Sequence, residues 1–154
     1  MLFFLDIDGV MVPAKAWKSP ELLNDGFPAF SSKATSTLQQ LISEEDTIML
    51  TTSHKSNFSI EKWKSIFKNR GININNMEVL PNNINNLSRK EEVVNWFNVN
   101  KEEERFIIID DDKSLNDLPT FLKDHLVQTS AHIGLTELHL KDIKLIGERI
   151  LLTS

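Results

Sequence analysis

Two rhythms of apolar positions run along this chain. Short apolar runs stand at 2–5 (LFFL), 47–50 (TIML) and 106–109 (FIII), with candidates interrupted by polar residues at 77–80 (MEVL) and 126–129 (LVQT). Between them the apolar residues return at helical spacing. Leu38, Leu41 and Ile42 do so over 34–43, and Ile60, Trp63, Ile66 and Phe67 do so ahead of Gly71. Val93, Val94 and Phe97 follow a Ser88/Glu91 pair, and a last apolar stripe covers 138–150. Unbroken runs suit strands buried on both faces, whereas returns at three and four residues mark helices with one apolar side. Ser88 with Glu91 is a capping box that starts a helix, and Gly71 stops one. Strands alternating with helices predict an α/β fold, a parallel sheet covered by helices in three layers. Residues 11–30 carry Pro13, Pro20, Gly26 and Pro28 and read as loop. The Asn-rich stretches NININN and NNINN also read as loops, with no function assigned.

Composition narrows the classes. The chain has 154 residues, 40% hydrophobic and 25% charged, which fits one domain over 1–154 with 11–32 as a small insert. No apolar run nears the ~20 residues that span a bilayer, so no membrane partner is expected. The apolar start lacks a basic leader and a small-residue cleavage site, and it runs straight into Asp6, so it reads as a strand. The chain has no cysteine, which excludes disulfide and thiol chemistry and fits a cytoplasmic location. A net charge of −5 argues against a broad non-specific nucleic-acid binder. Oligomeric state is not legible.

The chemistry gathers where strands end. Asp6 and Asp8 follow the first run, and Asp110, Asp111 and Asp112 follow FIII. Parallel α/β sheets carry their functional groups beyond the carboxyl ends of the strands. If these strands are neighbours, up to five carboxylates converge, and like charges so close raise one another's pKa. A divalent cation removes that conflict, and hard oxygen ligands in small number suit Mg²⁺. Strand alternation sends the side chains of D-x-D to opposite faces, so the chain must bend after Asp6, and Gly9 offers the freedom to do so. One carboxylate could then attack as nucleophile while the other moves a proton.

These residues resemble the haloacid dehalogenase (HAD) superfamily of phosphohydrolases. DIDGV is similar to its first motif, IMLTTSHK to its second, SRKEEVVNWF to its third and FIIIDDD to its fourth, in the same order. VQTSAHIGLT further resembles the close of a HAD group associated with RNA-repair proteins. The resemblance covers about the first 130 residues and implies a Rossmann-like HAD fold, here with a minimal cap. It implies Asp6 as the nucleophile that forms an aspartyl-phosphate, and Asp8 as the group that protonates the leaving group and then activates water. It implies Thr52, or Thr51, as a hydrogen-bond donor to the phosphoryl oxygens, with Ser53 and Gly9 as further substrate contacts. Arg89 or Lys90 would neutralise the phosphoryl charge. Asp110 and Asp111 would hold Mg²⁺ with the Asp6 carboxylate and the Asp8 backbone carbonyl. Thr52 is preferred because the strand is expected to end there. Arg89 is preferred over Lys90 from its spacing to Val93 and Trp96. A cation in the first helical turn opposes the helix dipole, which suggests a task for it. Asp112 is left without an assigned role, a cap of the following turn being the simplest reading.

The expected activity is thus that of a Mg²⁺-dependent phosphomonoester hydrolase. Its partner would be a phosphorylated substrate, a small molecule or a nucleic-acid end. Lys15, Lys18, Lys55, Lys62, Arg89 and Lys90 could line the entrance for a nucleic-acid end. The competing class is a catalytically silent phosphate-sensing or interaction domain. A receiver domain shares the fold type but places paired acids after the first strand and the acceptor later, the reverse of this order. His54 and Lys55 read equally as substrate contacts or as a solvated loop. Trp17 reads as loop packing, Trp63 and Trp96 as core, and His125, His132 and His139 are given no role.

Overall fold

The apolar runs pair side by side as an all-parallel sheet of five strands in the order β3-β2-β1-β4-β5. These are β1 (Leu2–Leu5), β2 (Thr47–Leu50), β3 (Asn76–Val79), β4 (Phe106–Asp110) and β5 (Leu126–Gln128). The helices are α1 (Ser32–Leu41), α2 (Ile60–Lys68), α3 (Arg89–Val99), α4 (Thr120–Lys123) and α5 (Glu137–Thr153). The computed structural model describes residues 1–14 and 20–153. Lys15, Trp17 and Lys18 lie outside the described residues.

Side chains alternate across the strands and build a core on each face. Phe3, Leu5, Ile48, Leu50, Ile107 and Ile109 pack with α1, α2 and α5. Leu2, Phe4, Met49, Phe106 and Ile108 pack with α3 and α4. This is the three-layer α/β fold that the strand and helix rhythm predicts. Trp63 is fully buried, and Trp96 is partly buried with its ring edge-on to Phe4 at 5.0 Å.

Helix boundaries follow their caps. α1 begins ahead of the expected position because the Ser31 side chain accepts from the Ala34 amide. α3 starts where expected, behind Ser88, which accepts from the Glu91 amide. α4 and the 3₁₀ turns Lys55–Asn57 and Lys113–Asp117 are too short to show a period, and the sequence reading missed them. The expected loop over residues 11–30 is loop in its described part, with a bridge between Leu22 and Pro28. Asn83 closes one Asn-rich loop, its side chain donating to the Leu87 carbonyl and accepting from its amide, both at 2.7 Å. No helix among the described residues is long and apolar enough to cross a membrane.

Candidate active site

β1 lies between β2 and β4, with Leu5 opposite both Leu50 and Ile109. Pairing continues one residue further. The Asp6 amide donates to the Ile109 carbonyl at 3.1 Å, and the Thr51 amide donates to the Leu5 carbonyl at 3.0 Å. Asp6, Thr51 and Asp110 therefore form one row across adjacent strand ends. Each stands two residues beyond a side chain of the α3 face, namely Phe4, Met49 and Ile108. With a side-chain period of two, the row points toward α3.

Arg89, in the first turn of α3, meets this row. Its Nη1 donates to Asp110 Oδ2 at 2.6 Å and to Thr51 Oγ1 at 3.0 Å, and lies 3.6 Å from Asp6 Oδ1. Its Nε is 3.5 Å from Glu92. The Thr51 hydroxyl is also 3.4 Å from Asp110 Oδ2. Asp111 completes the acid group. Asp6, Asp110 and Asp111 each offer a carboxylate oxygen, and these oxygens all lie within 4.8 Å of one another.

One guanidinium does not balance these charges. Burial, and then the Asp110 charge, push the Asp6 carboxyl up to about 9 against the pull of Arg89. Burial likewise raises Asp110, with Arg89 opposing. Burial works against the charge on Arg89, but Asp110, Asp6 and Glu92 outweigh it and hold the guanidinium protonated. A compact set of hard oxygen donors with surplus negative charge fits a divalent cation.

A tight turn follows Asp6. The amides of Val10, Met11 and Val12 all converge on the Ile7 carbonyl, at 3.1, 2.8 and 2.9 Å. Gly9 within it has φ +82°, and a Cβ there would collide with the Asp111 carboxylate. The turn buries Asp6 and leaves Asp8 exposed at the rim. Of the up to five carboxylates expected to converge, those of Asp6, Asp110 and Asp111 do so among the described residues. Asp8 points instead to His54, whose Nε2 is 2.8 Å from Asp8 Oδ2. Asp112 caps the next turn, accepting from the Ser114 amide at 2.9 Å.

The preferred hydroxyl also changes. Thr52 is fully buried, and its Oγ1 accepts from the His54 amide at 3.3 Å, while Thr51 faces the acids. β2 ends at Leu50, as its apolar run predicts, so Thr52 lies beyond the strand. Ser53 is exposed. It lines a cleft of about 530 Å³ beside Arg89, with Lys55, Asn82, Asn83 and Asp112. Lys90 is beside Arg89 in sequence, but among the described residues the ion pairs with Asp6 and Asp110 run through Arg89. Lys55 is no entrance cation: it is buried and paired with Glu92 at 3.0 Å. His54, which reads equally from the sequence as a substrate contact or as part of a solvated loop, stands beside the site, against Asp8. Its position just past β2, beside the acids that follow β1, is the signal that could have found it.

A larger cleft of about 760 Å³ is lined by Phe97, Phe106 and His125 with the acids Glu103, Glu104 and Asp124, which form no such metal-competent group among the described residues. A family model described as "HAD domain in Swiss Army Knife RNA repair proteins" matches residues 2–140. No curated protein and no solved structure matches the chain.

Proposed function

The chain belongs to the family of HAD domains in Swiss Army Knife RNA repair proteins, and from that premise we propose that it is a Mg²⁺-dependent phosphomonoester hydrolase working through Asp6. The observation that carries this reading is the three-carboxylate group at the carboxyl edge of the sheet, opposed by Arg89.

In this reading Asp6 attacks phosphorus in line. The Asp6–phosphorus bond forms as the bond to the leaving oxygen breaks, and Asp8 gives that oxygen its proton. Asp8, now a carboxylate, takes a proton from water as the water oxygen attacks phosphorus. Inorganic phosphate departs, Asp6 is free again and Asp8 is reprotonated. Arg89 offsets the negative charge that otherwise keeps an anionic nucleophile from an anionic phosphate. The Thr51 hydroxyl, within reach of Arg89, is the better candidate to bond a phosphoryl oxygen. Mg²⁺, held by Asp6, Asp110 and Asp111 with the Asp8 carbonyl, would supply the missing positive charge.

Turnover of p-nitrophenyl phosphate with Mg²⁺, compared with an Asp6→Asn variant, tests the proposal. A fall of about 10³-fold or more is expected in the variant. Absent turnover by the wild type across several divalent metals would sink the reading. The family description favours an RNA-end phosphate as the natural substrate. A screen of 3′- and 5′-phosphorylated oligonucleotides against sugar phosphates and nucleotides tests that choice, and activity confined to small metabolites would count against it.

A further inference from the structure

Asp8 is asked to hold a proton in one step and take one in the next, yet its side chain is 56% exposed. A free carboxylate at a rim samples several rotamers, and proton transfer needs one of them. The structure supplies a partner. His54 Nε2 is 2.8 Å from Asp8 Oδ2, and the ring is itself held. Asn57 Nδ2 lies 3.4 Å from His54 Nδ1; an amide nitrogen can only donate there, which assigns the proton of a neutral ring to Nε2. Phe27 stands edge-on to the imidazole at 6.0 Å and 86°. Phe27 is fixed in turn by its amide on Asp25 and its carbonyl under Arg70. Below the ring, the His54 amide donates to Thr52, and the indole of buried Trp63 donates to the Lys55 carbonyl.

We propose that His54 is the positioning residue of the general acid: its Nε2–H occupies Asp8 Oδ2, fixes the carboxyl rotamer and leaves Oδ1 as the oxygen that carries the proton. This rests on the phosphatase reading above. An exposed polar contact at a rim usually contributes little to folding. Here the pair gains its effect from the rigid support behind the ring, and the effect falls on chemistry rather than on folding.

The leaving group separates that role from a structural one. The ratio kcat/KM reports formation of the aspartyl-phosphate, the step in which Asp8 acts as an acid. An alkyl ester such as glycerol phosphate needs that proton, whereas p-nitrophenolate departs with little help. His54→Phe keeps the ring's bulk and removes the N–H. Its loss on the alkyl ester is expected to exceed its loss on p-nitrophenyl phosphate by about 10- to 100-fold. His54→Gln carries an amide N–H near the same position and is expected to recover most of the difference. Equal losses on both substrates, or a Gln variant no better than Phe, would overturn the inference while leaving the phosphatase reading intact. Should His54→Phe fail to fold, His54→Met against His54→Gln gives the same comparison. Wild-type protein inactive on both esters, or an Asp6→Asn variant as active as wild type, would bring down both readings together.

Discussion

Arg70 and Arg89 both bring a nearly buried guanidinium against aspartate, one beside α2 and the other on α3. Arg70 meets a single carboxylate in a forked pair, Nη1 to Asp25 Oδ2 at 2.6 Å and Nη2 to Oδ1 at 3.0 Å. Its remaining donors reach the carbonyls of Pro28, Phe27 and Ile66, and its plane lies 5.0 Å from the centre of the Phe30 ring. Charge is balanced and the donors are satisfied, so Asp25 is held far below the usual carboxylate range, chiefly by its bonds to Arg70. Arg89 instead faces Asp6, Asp110 and Glu92 with Asp111 alongside, and the buried acids are pushed up rather than down. The same pair of residue types makes a clamp where charge closes and a site where it does not. The clamp fastens the loop after β1; the site carries a debt of positive charge that a cation and a phosphate chemistry would settle.

Breaking the balanced pair should cost most. Arg70→Ala leaves Asp25 shielded and unpaired and is expected to lower unfolding stability by about 3–5 kcal/mol in denaturant titrations. A denaturation midpoint within error of wild type would show that the clamp is not what fastens the loop. Supplying the missing charge to the unbalanced site comes next. At about 100 times its Kd, Mg²⁺ should stabilise the wild type by about 2.7 kcal/mol, read as a rise in Tm, and should do far less for Asp110→Asn. A rise of equal size in both proteins would place the ion elsewhere.

Replacing an acid whose charged form the site disfavours is a smaller effect with the opposite sign to Arg70→Ala. Asp6→Asn is expected to stabilise the metal-free protein by about 1–2 kcal/mol while it abolishes turnover, as active-site residues under mutual repulsion do. Destabilisation would mean that the acids are not in conflict. The finest test is acid titration of the clamp. The folded pKa of Asp25 is depressed, so its stabilisation is full above the unfolded value of about 4 and fades as pH falls below it toward the folded value. Stability measured from pH 5 down to pH 2 should therefore fall less steeply in Asp25→Asn than in the wild type.

The sequence carried the sheet, its covered faces and the acids at its carboxyl edge, because unbroken apolar runs and capping boxes are local signals. Which acids meet was not local. Asp6 and Asp110 come together because β1 and β4 are neighbours, but Asp8 is turned to the rim by amides that wrap the Ile7 carbonyl. Thr51 and Thr52 are adjacent hydroxyls in sequence, and only the register with Leu5 and Ile109 decides which faces α3. Ser88 marked the start of α3 and so put Arg89 in its first turn, where its apparent conflict with the helix dipole is answered by the acids opposite. Lys55 looked like a surface cation and is a buried partner of Glu92, a pairing across 37 residues that no local pattern reveals.

The proposed mechanism routes phosphate through Asp6. The direct measurement is a rapid acid quench during turnover of a phosphomonoester with Mg²⁺, followed by peptide mass spectrometry of the trapped protein. A hydroxylamine-labile phosphoryl group is expected on Asp6 within one turnover and is expected to be absent in Asp6→Asn. Steady turnover with no covalent phosphate, or with phosphate on any other residue, would contradict it.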